Sequence, residues 1–117
     1  MEPPEERSVS VMVVDDHRTM LWGLERLIGG ERTGMKVVAS ASNRDEAMAA
    51  AYTYSPDVIL LDIDLNGECS IDFLPALLLN GVSRALIFSG TRDELLLERA
   101  VLAGAYGQAQ LTPLLEP

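Results

Sequence analysis

The chain has 117 residues, of which 48% are hydrophobic and 23% are charged, and its formal net charge is −9. This length and composition predict a single globular domain with its own core, and they exclude a disordered chain. The acidic excess repels phosphate backbones and anionic lipid surfaces, so we expect this chain by itself to bind neither nucleic acid nor membranes.

The first residues, 1–8, read MEPPEERS and are predicted to be a disordered leader ahead of one domain over residues 9–117. No apolar run reaches the ~18 residues that a membrane span requires. The only cysteine, Cys69, cannot form an internal disulfide, which fits a reducing compartment. We therefore expect a cytoplasmic protein.

Residues 9–117 alternate short apolar strands with helical segments. The run VSVMVV is typical of a strand, and the apolar spacing of the segment behind it is typical of a helix. The same pair of patterns recurs along the chain, with Asn43 as a predicted helix N-cap and Gly104 as a helix end. The predicted strands are 9–14, 35–39, 57–62, 84–89 and a weaker 105–112; the predicted helices are 17–28, 44–54, 70–79 and one that begins at Thr91.

This alternation predicts an open α/β fold, a doubly wound parallel sheet of five strands with helices on both faces. A fifth helix is predicted to be short or missing, because TPLLEP after the last strand is well below the mean helix length of about 11 residues. In such sheets the functional crevice lies beyond the carboxyl ends of the strands, where the strand order reverses.

Acidic or hydroxyl side chains stand at the carboxyl ends of three predicted strands: Asp15 and Asp16, Asp62, and Ser89. If the first and third strands are neighbours, three carboxylates converge, and their repulsion raises pKa values unless a cation lies among them. The pattern therefore favours a hard divalent cation, Mg²⁺ above all. Taken singly, each aspartate also suits a helix cap or turn.

Several stretches together resemble the receiver domains of two-component response regulators: VMVVDDHRTMLWGLERLI, VVASASNRDEAMAAAYTYSPDVILLDIDLNG, ALIFSG and AGAYG. They cover nearly the whole chain from Val9 to Gly107 in the family's order and spacing. The Asp-Asp-His opening and GLERLI are most similar to the branch with LuxR-type helix-turn-helix output domains. The resemblance implies a flavodoxin-like fold and a role in signal transduction that controls transcription.

The resemblance also implies a role for each residue of the crevice. Asp62 is the phosphoacceptor that a sensor histidine kinase phosphorylates. Asp16 and Asp62 bind Mg²⁺ directly, Asp15 acts mostly through water, and the backbone carbonyl of Asp64 completes the protein ligands. Ser89 donates a hydrogen bond to the phosphoryl group. His17 is interpreted as a solvated residue at the helix start rather than a ligand, since histidine ligands usually occur in clusters.

The chain departs from the family near its end. Leu111 stands where the family has a lysine that pairs with the phosphoryl oxygens, and Gln108 stands where it has an aromatic residue. The only lysine, Lys36, opens the second strand at the opposite end from the crevice. Asn66 stands where the family usually has proline, which we interpret as a looser loop without chemical consequence. The chain is thus either an altered or truncated piece or a natural atypical receiver.

Three functions are compatible with these residues. The leading one is a phosphorylated receiver that is not an enzyme acting on a separate substrate, with a histidine kinase, a second copy of the chain and a C-terminal DNA-binding domain as partners. The second is a pseudo-receiver, a phosphorylation-independent interaction or dimerisation module. The third is a magnesium-dependent phosphatase that uses Asp64 as a general acid, and the missing lysine counts against it.

Overall fold

In the computed structural model, residues 8–30, 34–89, 94–105 and 107–110 are described. The predicted leader, except Ser8, and the predicted short or missing fifth helix lie outside these ranges. The strands are β1 Val9–Val14, β2 Met35–Ala41, β3 Val58–Asp62, β4 Asp64–Leu65, β5 Glu68–Cys69, β6 Arg84–Ser89 and β7 Gly107–Gln110. The helices are α1 Arg18–Ile28, α2 Arg44–Tyr54, a 3-10 helix Ser70–Phe73, α3 Leu74–Leu77 and α4 Glu94–Leu102.

Five parallel strands form the main sheet in the order β2-β1-β3-β6-β7, and β4 and β5 form a separate antiparallel hairpin. The prediction of a five-stranded, doubly wound parallel sheet is confirmed. The condition on which the convergence of the acids depended also holds: the first and third strands are neighbours, because Val14 pairs with Leu61. The chain winds to β2 on one side of β1 and to β3 on the other, so the strand order reverses between β1 and β3.

The core lies on both faces of this sheet, which explains why the central strands are apolar on both sides. On one face, Val11 and Val13 pack with Leu24 and Ile28 of α1. On the other face, a larger cluster joins the alternate strand residues to the inner sides of α2, α3 and α4: Met12, Val14, Ile59, Leu61, Ala47, Ala51, Leu74, Leu77 and Ala100.

Local signals account for most helix ends. Asn43 caps α2 as predicted, with its side-chain oxygen accepting from the Glu46 backbone N–H at 2.9 Å. Gly104, at φ 118°, follows the end of α4, where a side chain would be strained. The predicted start of that helix at Thr91 lies outside the described residues.

The third helix differs from its prediction. One helix over residues 70–79 was expected, and the structure instead has the 3-10 helix Ser70–Phe73 followed by a single α-helical turn, Leu74–Leu77. Pro75 is the reason, because a proline lacks an N–H and fits only the first turn of an α-helix. In the part of the chain that the structure describes, no helix combines the length and apolarity needed to cross a membrane.

Candidate functional site

A group of acidic side chains lies at the carboxyl edge of the sheet, where the strand order reverses. Asp15 and Asp16 directly follow β1, and Asp62 is the last residue of β3. Because Val14 pairs with Leu61, both acidic segments leave the sheet side by side. One ligand atom from each of Asp15, Asp16, His17 and Asp62 lies within 4.8 Å of the others. The structure thus brings together the three carboxylates that the sequence placed at one edge, and adds an imidazole.

The two aspartates after β1 are held differently. The side chain of Asp15 is 3% exposed, and its Oδ1 accepts from the backbone N–H of His17 at 2.9 Å. The Oδ2 of Asp16 accepts from the backbone N–H of Asn66 at 2.9 Å. His17 Nδ1 is 3.0 Å from Oδ1 of both aspartates and hydrogen-bonds with Asp15. This leaves Asp16 Oδ1 buried without a hydrogen bond.

The crowding of acids changes the pKa of Asp62. Burial raises that pKa, and the charges of Asp15 and Asp16 raise it further, to about 7. The nearby His17 and the backbone N–H of Ile63 lower it only partly. In turn, the hydrogen bond to Asp15 and then the charge of Asp16 raise the pKa of His17. Asp15 and Asp16 therefore destabilise the ionised form of Asp62, and a cation among the three would reverse this effect.

The donor set fits a hard divalent cation. Three carboxylates supply oxygen, the ligand atom that Mg²⁺ and Ca²⁺ prefer. Asp16 Oδ1 is buried without a hydrogen bond, since the His17 Nδ1 that lies 3.0 Å away hydrogen-bonds with Asp15. A buried acceptor without a hydrogen bond costs free energy, which a bound cation would offset. Asp15, Asp16 and Asp62 can hold such an ion together.

Other predicted residues are placed as follows. Ser89 is the last residue of β6, one position beyond Phe88, which pairs with Asp62. Asp64 is exposed and begins β4, and its side chain does not belong to the acidic group, which removes support for its role as a general acid. Lys36 pairs with Ser10 at the amino edge, away from the acids. Gln108, in β7, pairs with Ile87 of β6, and Leu111 lies outside the described residues.

Three residues near the acids were not predicted to matter. His17 is solvated as expected, with a side chain 73% exposed, yet it contacts both aspartates. Asn66 reaches Asp16 through its backbone, and the hydroxyl of the buried Ser70 donates to the backbone carbonyl of Asp62. The adjacency of His17 to the acidic pair was a usable signal. The other two contacts arise from a hairpin between β3 and α3 that no periodicity predicted.

Known proteins are similar to this chain in sequence and in fold. The family model of the response regulator receiver domain matches residues 11–109. The nitrate/nitrite response regulator protein NarP of Escherichia coli is 37% identical over 90 residues, 77% of this chain and 41% of NarP. The DNA-binding transcriptional activator DevR/DosR of Mycobacterium tuberculosis is 37% identical over 101 residues, 85% of this chain and 46% of that protein.

Enzymes also carry a similar segment, since a protein-glutamate methylesterase/protein-glutamine glutaminase of Idiomarina loihiensis is 32% identical over 87 residues, 74% of this chain and 22% of that enzyme. Among solved structures, a LuxR-family two-component response regulator from Aurantimonas sp. SI85-9A1 superposes with a TM-score of 0.81 at 32% identity. The superposition covers 88% of this chain and 74% of that one. The chain spans less than half the length of each of these three curated relatives.

The fold and the site together define an open α/β domain with an acidic group at its topological switch point. The receiver-domain family model identifies the chain more specifically than this fold class does, and it matches most of the chain. The chain belongs to the response regulator receiver family, and its relatives include regulators of the NarP and LuxR type.

Proposed function

We propose that this receiver domain accepts a phosphoryl group on Asp62 from a sensor histidine kinase. The observation that supports this most strongly is the position of Asp62, at the end of the central strand β3, inside a group of ligand atoms within 4.8 Å of one another. Its side chain is only partly buried, so a phosphodonor can approach it from solvent. The two aspartates after β1 lie beside it, because Val14 pairs with Leu61.

In the proposed reaction, a carboxylate oxygen of Asp62 attacks phosphorus and forms a new P–O bond. The bond between phosphorus and the donor breaks, and the donor atom, a histidine nitrogen or an acyl phosphate oxygen, keeps the electron pair. Asp15, Asp16, Asp62 and the backbone carbonyl of Asp64 would hold Mg²⁺, which neutralises the charge that develops on the phosphoryl oxygens. We assign Ser89 to hydrogen-bond the phosphoryl group.

The domain as proposed is a switch and not an enzyme for a separate substrate. Its family relatives range from a transcriptional activator to a methylesterase, so the output depends on the segment that a receiver is joined to. For this chain we propose a cytoplasmic regulator with a DNA-binding output domain, and we keep residues 9–117 as the proposed receiver domain. Leu95 and Leu102 on α4 are exposed, which supports a second copy of the chain as a further partner, in a homodimer.

Intact mass after incubation with Mg²⁺ and acetyl phosphate tests the proposal. We expect one added phosphoryl group on the wild-type protein and none on Asp62→Asn or in the presence of a chelator. Asp45→Asn is the matched control, because that exposed aspartate of α2 removes the same charge and lies outside the acidic group. It should be phosphorylated like the wild type.

Two results would contradict the proposal. Phosphorylation of Asp62→Asn would place the acceptor elsewhere. No phosphorylation of the wild type, with Mg²⁺ binding measured separately, would favour the pseudo-receiver, which Leu111 and Gln108 at the two departing positions also suggest.

A further inference from the structure

The hairpin of β4 and β5 lies between β3 and the 3-10 helix in the chain. It contacts both segments that carry the acids, the end of β3 and the residues after β1. It leaves β3 directly after Asp62, pairs Asp64 with Cys69 and Leu65 with Glu68, and returns to Ser70. The side chain of Leu65 is buried in the core, so the hairpin is fixed to the body of the domain. Its turn therefore has a defined position over the end of β1.

At the turn, the backbone N–H of Asn66 donates to Oδ2 of Asp16 at 2.9 Å. This contact joins the hairpin to a residue fifty positions earlier in the chain. The other carboxylate oxygen, Oδ1, is left buried beside the acidic group without a hydrogen bond. The Asn66 N–H thus holds Oδ2 and leaves Oδ1 as the oxygen of Asp16 without a hydrogen bond.

At the base of the hairpin, Ser70 makes two hydrogen bonds to the end of β3. Its backbone N–H donates to the carbonyl of Ile63 at 2.7 Å, and its hydroxyl donates to the carbonyl of Asp62. On the outer side, Glu68 accepts from Arg44 of α2 at 3.2 Å. The hairpin is anchored at its base and side, and its turn meets Asp16.

The backbone at the turn requires particular residues. Asn66 has φ 60° and Gly67 has φ 83°, both in the left-handed region, which asparagine and glycine tolerate best. A proline cannot adopt that φ and has no N–H to donate. The absence of proline at position 66, where the family usually has one, therefore permits the contact with Asp16.

We propose that Asn66 is a positioning residue for the cation site: its backbone N–H, held by the 64–69 hairpin, orients Asp16 so that Oδ1 is available to the metal ion. The inference rests on the proposed function, because it assumes that Mg²⁺ binds among Asp15, Asp16 and Asp62. Hydrogen-bond partners of metal ligands typically change metal affinity by about 10- to 100-fold when removed.

Isothermal titration with Mg²⁺ alone tests the inference on the wild type, Asn66→Gly and Asn66→Pro. Glycine keeps the N–H and accepts the positive φ, so we expect a Kd within about twofold of the wild type. Proline removes the N–H, so we expect a Kd roughly tenfold higher. In the wild type and the glycine variant, the NMR signal of the residue 66 amide should shift along the same binding curve.

The outcomes separate the two proposals. Absence of Mg²⁺ binding by the wild type contradicts the proposed function and this inference with it. Binding by the wild type with an equal Kd for Asn66→Pro, or an equally weakened Kd for Asn66→Gly, overturns the inference alone. If urea unfolding shows that Asn66→Pro does not fold, an amide-to-ester replacement at position 66 removes only the N–H, and its Kd then decides between a tenfold loss and no change.

Discussion

Strand β3 has an aspartate at each end, and the two carboxylates have opposite surroundings. Asp57, directly before β3, accepts at Oδ2 from the backbone N–H of Ser10 at 2.8 Å and from its hydroxyl at 3.0 Å. The pKa of Asp62, the last residue of β3, is instead raised by burial and by the charges of Asp15 and Asp16. The carboxylate of Asp57 is surrounded by donors, whereas that of Asp62 lies mainly among further acids. Donors make an aspartate structural, whereas repulsion among neighbouring acids is relieved by a bound proton or by a cation.

The contrast extends along both edges of the sheet. At the amino edge, the buried Ser83 donates to the carbonyl of Pro56 and its hydroxyl accepts from Asn80 at 3.0 Å. At the carboxyl edge, Asp16 Oδ1 is buried without a hydrogen bond. The hydrogen bonds at the amino edge thus join β1, β3 and β6, whereas the carboxyl edge keeps an acceptor that a metal ion could bind. Substitutions at the two edges should accordingly separate stability from metal binding.

The largest expected effect is the loss of metal affinity in Asp16→Ala. Removing a hydrogen-bond partner of a metal ligand raises the Kd by up to about 100-fold, and removing the ligand itself should raise the Kd for Mg²⁺ at least as much. Asp57→Ala lies at the other edge and should leave the Kd unchanged. Isothermal titration of both variants measures this, and equal losses would mean that net charge alone, rather than the acidic group, attracts the cation.

The second effect is a loss of stability at the amino edge in Ser83→Ala. The substitution leaves the buried carbonyl of Pro56 and the amide of Asn80 without their partner, which typically costs about 1 to 3 kcal/mol. Urea unfolding measures this free energy, and Ser42→Ala, which removes an exposed hydroxyl bonded to Glu46, is the control with a smaller loss. The Mg²⁺ Kd of Ser83→Ala should equal that of the wild type. A change in that Kd would show that the two edges are coupled.

Periodicity and strand order were enough to predict the sheet and three of the acids. The apolar strands before Asp15 and Asp62 placed both residues correctly, because the carboxyl ends of parallel strands lie at the same edge of a sheet whatever their side chains are. The predicted third helix was too long because the pattern did not include the effect of Pro75 on where an α-helix can begin.

The finer contacts of the site could not be predicted for a different reason. Asn66 acts through a backbone N–H, and any residue except proline carries one, so its side chain gave no signal. Ser70 meets Asp62 only because the hairpin reverses the chain between them. Contacts of this kind depend on the path of a short loop, which neither composition nor apolar spacing determines.

The smallest expected effect concerns the charge of Asp62 without metal. Its pKa rises from 3.8 to about 7 on folding, so between these values the folded protein holds a proton that the unfolded chain has released. The contribution of Asp62 to stability is therefore full below about pH 4 and falls as the pH rises to 7. Above pH 7 the ionised carboxylate is a net cost of folding.

Asp62→Asn removes that cost. In a chelator at pH 8, we expect the variant to be more stable than the wild type by roughly 1 to 2 kcal/mol, less than the whole shift implies because solvent reaches part of the side chain. The difference should vanish near pH 4. It should reverse in saturating Mg²⁺, since binding stabilises only the protein that keeps the third carboxylate. Thermal unfolding at both pH values measures it, and a difference independent of pH would mean that neither burial nor the charges of Asp15 and Asp16 raise the pKa of Asp62.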